Sequence, residues 1–187
     1  MVEDEAGLIE RAKRDAAAFG ELYEKYVDRI YNYIYYRTGS RPDAEDLTSK
    51  TFFRALSHLE SYDNRGVPFG AWLYRIAHNL VANWHRDRGR RQLLHFNESL
   101  VLGDSDIGPE RRAEDLEDRR DLLKAIGRLD SRRQELLILK FIEGFSNARI
   151  GEVMGCTEGA IKSLYHRTLL ELREILPNGS SADPAER

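Results

Sequence analysis

"SNARIGEVMGCTEGAIKSLYHRTLLEL", Ser146 to Leu172, reads as helix, stops at Gly155 and reads as helix again. Glycine adopts the left-handed backbone that ends a helix without steric cost. Thr157, two residues on, has the hydroxyl that caps the next helix. Ile150 and Val153 lie on one face before the stop. After it Ile161, Tyr165, Leu169 and Leu172 recur at three- to four-residue spacing, so they are expected to face a core. Gly151 has no side chain and lets two helices cross closely. The pattern is a short bracing helix, a tight turn and a longer helix with a free outer side, which is a helix-turn-helix. Thr157, Glu158, Lys162, Ser163, His166 and Arg167 fall on that outer side, within reach of base edges and phosphates in a major groove. Leu164 sits one position off the apolar stripe, at its edge and close to the groove. Leucine cannot donate to guanine but can touch a thymine methyl. An ordinary helical hairpin would show the same break, so this segment alone leaves DNA binding and bundle packing both open.

The rest of the chain bounds what such a helix pair belongs to. Its 187 residues leave room for one or two domains. Hydrophobic residues make up 41%, enough for a packed core, and charged residues 33%, enough for a well-hydrated surface. No apolar run approaches membrane-spanning length, and the longest candidate, Leu136 to Ile142, is cut by Lys140, so no membrane insertion is expected. The acidic start "MVEDEAG" argues against a secretory signal, and a cytoplasmic protein is expected. Cys156 is the single cysteine, which excludes an internal disulfide and argues against a cysteine-based zinc site. The net charge of −3 argues against tight DNA binding by the chain alone. Charge is unevenly placed, however. From Trp84 to Arg91 four arginines oppose one aspartate, and from Asp104 to Asp121 eight acids oppose four arginines. A basic patch followed by an acidic stretch suggests two surfaces with different partners.

Almost all periodicity is helical, and strand-type alternation is absent, so an all-α fold is expected. Asp4 to Arg14 predicts a first helix. Asp15 caps a second, with Phe19, Leu22, Tyr23, Tyr26, Ile30, Tyr33 and Ile34 on its stripe and Gly39 at its end. The run "YNYIYY", Tyr31 to Tyr36, reads at helical spacing as core and core edge rather than as a base-stacking strip. Ser40 and Pro42 open a third helix, whose stripe is Ala44, Leu47, Thr51, Phe52, Ala55, Leu56 and Leu59. After the loop "ESYDNRGVP", a fourth helix carries Phe69, Trp72, Leu73, Ile76, Ala77, Leu80 and Trp84 on one face. A further helix is marked by Leu116, Leu122, Leu123, Ile126 and Leu129. The next, capped by Asp130 or Ser131, carries Leu136, Leu137, Leu139 and Ile142 up to Gly144. The expected architecture is two small helical domains, 1–91 and 113–176. A flexible acidic linker at 92–112 joins them, and a disordered tail occupies 177–187.

Three segments carry a resemblance. "DAEDLTSKTFFRAL" (Asp43 to Leu56), "FGAWLYRIAHNLVANWHRDRGR" (Phe69 to Arg90) and "GCTEGAIKSLYHRTLLELR" (Gly155 to Arg173) resemble a bacterial sigma factor of the sigma-70 family, extracytoplasmic-function (ECF) group. The three stand in family order and spacing over about Leu8 to Leu176. The resemblance implies a sigma region two that docks on core RNA polymerase and recognises and opens the minus-ten element. It implies a region four whose helix-turn-helix reads the minus-thirty-five element of promoter DNA, and an anti-sigma factor as a further partner. On that reading the side of the third helix opposite its stripe faces polymerase: Asp43, Glu45, Asp46, Ser49, Lys50, Phe53 and Arg54. Opening DNA needs cations for phosphate and faces or pockets for unstacked bases. Tyr62, Asn64 and Arg65 in the loop are candidates, as are Tyr74, Arg75, His78, Asn79, Asn83 and Arg86 on the fourth helix, with His85 on the same polar side. For His78 and His85 a solvated polar face is the slightly better account, and "DNRG" is also a good turn. The minus-thirty-five candidates are Thr157, Glu158, Lys162, Ser163, Leu164, His166 and Arg167.

The chain departs from the family pattern. Ser49-Lys50 stands where a Gln-Glu pair is usual, Leu164-Tyr165 where Arg-Leu is usual, and "AKRDAAAF" lacks the usual Gly-Asp turn. A stand-alone dimeric helix-turn-helix regulator with an N-terminal sensing module is the alternative. No His-Glu-x-x-His pattern, phosphate-cradling glycine loop or nucleophile motif occurs, so no catalytic residue, enzyme activity, small-molecule substrate, metal or cofactor is expected.

Overall fold

The computed structural model of the chain describes residues 5–63, 67–88 and 120–176. Every regular element among them is helical: α1 (Glu5–Ala12), α2 (Ala16–Thr38), α3 (Arg41–Ser57), α4 (Phe69–Arg88), α5 (120–128), α6 (Ser131–Leu137), α7 (Asn147–Met154) and α8 (Glu158–Ile175). The expected linker at 92–112 and tail at 177–187 lie outside the described residues, as does Leu116.

Local chemistry sets the boundaries. The Asp15 carboxylate accepts from the Ala17 amide and starts α2, which Gly39 ends at φ 63°. Ser40 accepts from the Asp43 amide and Pro42 stands in the first turn of α3. Asp130, rather than Ser131, caps α6 by accepting from the amides of Arg132 and Arg133. Ser146 and Thr157 cap α7 and α8 through the amides of Arg149 and Ala160. Between α7 and α8 stands Gly155 at φ 65°. α1 is shorter than the expected Asp4 to Arg14, because the chain turns at Lys13 and Arg14 before Asp15.

α2 is the central helix of the first bundle and packs against α1, α3 and α4. Tyr33, Ile34 and Tyr36 are buried and Tyr31 and Tyr35 half-buried, so the tyrosine run is core and core edge. A second aromatic group joins Tyr62, Phe69 and Trp72, with Tyr62 and Trp72 ring centroids 4.8 Å apart. α7 lies on α4 and braces α8. Ile138, Leu139, Phe145, Ile150, Val153 and Ile161 thereby join the same continuous core as α1–α4.

Several expected core positions differ. Leu56 is exposed on α3, and Leu122 and Ile142 are exposed as well. Tyr23 is also exposed, although its ring rests edge-on against Phe52 at 4.7 Å. Ile142 turns outward because α6 does not continue regularly. It runs into a π-helical turn, Ile138–Ile142, in which the Glu143 amide reaches back to the Ile138 carbonyl. The wider turn rotates the following residues, and Phe141 is exposed beside Ile142. On α8 the buried stripe is Ile161, Thr168 and Leu172, with Leu164 and Tyr165 half-buried and Leu169 exposed. Thr168 can be buried because its hydroxyl donates to the Leu164 carbonyl at 2.8 Å.

The close crossing at the turn has a definite contact. A Cβ on Gly151 would lie 2.6 Å from the Cys156 carbonyl oxygen, a backbone atom held by the turn itself. Gly151→Ala should therefore destabilise the chain by about 1–3 kcal/mol, an overpacking cost. The check is the urea midpoint, and an unchanged midpoint would mean that the turn yields freely.

Candidate nucleic-acid interface

Three surfaces gather the candidate residues. The first is the outer side of α3. Glu45, Asp46, Ser49, Lys50, Phe53 and Arg54 are exposed and Asp43 is half-buried. The Lys50 ammonium pairs with Asp46 one turn back at 2.6 Å. Phe53 has no role in the core: its ring is 71% exposed in the middle of this charged face.

The second surface is a cleft of about 310 Å³ between the end of α3 and α4, lined by Arg54, His58, Tyr62, Trp72, Ile76 and Asn79. Indole, isoleucine and amide together offer an apolar wall and a polar edge, which suits an unstacked base. Of the expected minus-ten residues, Arg75, Asn79 and Arg86 are exposed and Asn83 is half-buried, with Arg86 donating to Oδ1 of the Asn83 side chain at 2.9 Å. Asn64 and Arg65 lie outside the described residues. The sequence reading missed Trp72 and Ile76, which it assigned wholly to the apolar stripe. Both are only half-buried, at the cleft.

Other candidates are corrected. Tyr62 is buried, and its hydroxyl donates to the Val67 carbonyl at 2.7 Å, so it builds the wall of the cleft rather than reaching out. Tyr74 is fully buried between the rings of Tyr33 and Phe145, at 5.2 and 5.0 Å, and is core, not polar surface. Helical periodicity places it off the stripe of α4 only because a second body, α7 and its preceding loop, covers that side. His78 is half-buried there, with Nδ1 2.6 Å from the Glu135 carboxylate. His85 is buried, and its Nε2 lies 3.0 Å from the Arg37 carbonyl. Burial, and then the Arg37 charge, pull the His85 pKa down to about 4. The ring is therefore neutral at pH 7 and donates from Nε2.

The third surface is the outer side of α8. Thr157, Glu158, Lys162, Ser163, His166 and Arg167 are all exposed, while Leu164 is half-buried at the edge, packed against the core. Several of these groups are already paired within the helix. Lys162 pairs with Glu158 at 2.8 Å, the Ser163 hydroxyl donates to the Gly159 carbonyl at 3.0 Å, and Arg167 donates to the Ser163 carbonyl at 3.3 Å. Thr157 serves as the cap. Beside Leu164, Tyr165 lies under the Lys140 ammonium, 5.7 Å from the ring centroid.

Each of the two halves of this arrangement matches a known sequence family. The model of sigma-70 region 2 matches residues 22–91, and that of sigma-70 region 4 matches residues 119–172. The ECF RNA polymerase sigma factor SigW of Bacillus subtilis is 30% identical, over 88% of this chain and 91% of its own length. The chain belongs to the ECF sigma factors. The ECF RNA polymerase sigma factor BldN of Streptomyces coelicolor is 42% identical over 172 residues, 91% of this chain. The chain spans 65% of the length of BldN and 63% of that of SigE of Mycolicibacterium smegmatis, a relative at 33% identity. Among solved structures, RpoE of Bartonella quintana in complex with the anti-sigma factor NepR shares the fold, with 24% identity, a TM-score of 0.62 and coverage of 84% of this chain and 96% of that one. Membership of this family disfavours the stand-alone regulator. Among the described residues no helix is long and apolar enough to cross a membrane.

His85 ties region two together through a group with a depressed pKa. The folded state prefers the neutral ring, and the unfolded chain binds more protons between the ordinary value of 6.5 and about 4. This contribution to stability is thus complete above pH 6.5 and is lost as pH falls toward 4. Urea unfolding at pH 7 and pH 5 should show the drop, and His85→Gln should reduce it. An equal drop in the variant would assign the acid sensitivity to other groups.

Proposed function

We propose that this sigma factor binds core RNA polymerase and directs promoter-specific initiation in the cytoplasm. In this reading α3 docks on polymerase, the α3–α4 cleft with Arg75, Asn79, Asn83 and Arg86 holds the opened minus-ten strand, and α8 reads the minus-thirty-five element. The observation that carries it is Phe53, an aromatic ring 71% exposed amid charged neighbours, on the same chain as a helix-turn-helix with a free outer face. A stand-alone regulator with an N-terminal sensing module does not call for such a ring on the outer side of that module. A protein interface does, since exposed aromatics are the usual anchors of docking faces. Dependence on polymerase also accounts for a net charge of −3 in a DNA-reading chain. An anti-sigma factor is proposed as a further partner, because the related RpoE was solved with one.

The deciding experiment is transcription from a promoter library by purified core polymerase with and without this chain. Phe53→Ala should weaken core binding by roughly 2 kcal/mol, about 30-fold, without shifting the melting temperature. Wild-type binding to core by the variant would remove α3 as the docking face.

Leu164 generates the second test. Its half-buried position leaves one edge for a thymine methyl, so the minus-thirty-five element should hold a thymine that Leu164 favours. Leu164→Arg should move the preference at that position to guanine by roughly 1–3 kcal/mol. The library assay reads this directly, with circular dichroism as the folding control. A folded variant with unchanged preference at every minus-thirty-five position would return Leu164 to a packing role.

A further inference from the structure

Two cations beside α8 come from other elements. Arg132 stands in the first turn of α6 and is exposed. Its Nη2 lies 2.7 Å from Sγ of Cys156, the residue before the α8 cap Thr157. Lys140 stands further along, in the π turn that follows α6. Its ammonium donates to the Asn147 side-chain oxygen at 3.0 Å and lies over the Tyr165 ring of α8. The two thus meet α8 at its start and at Tyr165, roughly 13 Å apart along the axis at about 1.5 Å per residue. We propose that Arg132 and Lys140 hold DNA phosphates at these two points and so set how α8 lies in the major groove. This deepens the minus-thirty-five reading of α8 and rests on it.

What sets the two apart is how they are held. Among the described residues neither has a carboxylate partner; sulfur holds Arg132, and an amide oxygen and an aromatic ring hold Lys140. The nearby acids are engaged elsewhere: Asp130 with Arg133, Glu171 also with Arg133, and Glu158 with Lys162. Such holders fix a cation in place without cancelling its charge. α8 itself offers less. On its outer side a phosphate must compete with Glu158 for Lys162, and only Arg167 lacks a carboxylate partner. Phosphate contacts supply most of the salt-dependent affinity for duplex and fix register and orientation, while base contacts specify. A helix that reads bases with so little charge of its own needs cations beside it, and α6 with its π turn delivers two. The pattern of α8 cannot report them, because neither residue belongs to that helix, and along the chain Lys140 reads only as a break in an apolar run.

The test uses the full chain with core polymerase on a duplex promoter fragment, with affinity measured over a salt series. One phosphate contact contributes about 0.9 to the slope of log affinity against log salt. Arg132→Gln and Lys140→Gln keep a hydrogen-bond donor and lose the charge. Each should lower the slope by about 0.9 and weaken the complex roughly eight-fold at ~0.1 M salt. Base preference at every minus-thirty-five position, and affinity for core polymerase without DNA, should stay as in wild type. Arg132→Lys and Lys140→Arg should restore the slope, which a packing role would not do. Cys156→Asp leaves Arg132 in place but gives it a counter-charge, and should lose slope as Arg132→Gln does. Circular dichroism checks that each variant is folded. A wild-type slope in either folded glutamine variant, or a loss that the charge-keeping variants leave in place, would overturn the phosphate role. A wild-type chain that forms no promoter complex with polymerase would overturn the sigma reading. The salt series is then run with the chain alone on duplex of arbitrary sequence, where equal slopes for wild type and the glutamine variants would overturn the phosphate role as well.

Discussion

A carboxylate removed from water must find its charge partner, and Glu135 finds Arg37. That requirement constrains much of the molecule. Arg37 stands in the last turn of α2, where Tyr33, one turn back, donates to the same carboxylate and accepts from Arg37 at 2.9 Å. The Arg37 carbonyl in turn receives the His85 ring, while His78, two turns earlier on α4, reaches Glu135 directly. The end of α2, the face of α4 and the start of region four are therefore fixed by one set of donors. Moving α6 away while keeping Glu135 and Arg37 buried would strand two charges, an outcome far costlier than any single apolar contact.

That constraint divides the surface. The outer sides of α3 and α8 take no part in these contacts and keep their polar and aromatic groups exposed. α4 is split: one side, with Tyr74 and His78, is turned to region four, and the other, with Arg75 and Asn79, is open beside the cleft. The same helix thus serves internal packing and the proposed single-strand surface. Its periodicity cannot tell the two apart, because both sides lie off the stripe that packs on α2 and α3.

The helix boundaries were legible because caps are local. Asp15, Gly39, Ser40, Ser146, Gly155 and Thr157 act within four residues of themselves, and each does what its type and position suggest. The outer face of α3 was legible as the complement of its apolar stripe, save for Leu56, which read as core and is exposed. Three features were not. Thr168 reads as polar, and only its bond to the Leu164 carbonyl makes it a core residue, which rotates the stripe of α8 and exposes Leu169. The π turn at Ile138–Ile142 has no residue signature, so Ile142 read as core. The burial of Glu135 depends on Tyr33, 102 positions away, and no local pattern reports a partner at that range. The helix-turn-helix was legible locally, but both its DNA-related role and the choice of sigma factor over regulator came from three motifs in order, not from periodicity.

The cations of α8 are already engaged within the free chain. Lys162 is already paired with Glu158, and Arg167 already donates to its own helix. Binding to duplex exchanges these contacts for phosphate or base contacts, so the gain is a difference between two sets of bonds and not the full value of either. Glu158 would also remain beside the phosphates as an unfavourable charge. An exposed ion pair contributes little on the surface of the free chain, yet it discounts each cation's attraction to DNA. A helix arranged this way is better suited to sequence preference than to affinity. That would suit a reader delivered to its site by a protein partner, the role proposed for the face around Phe53.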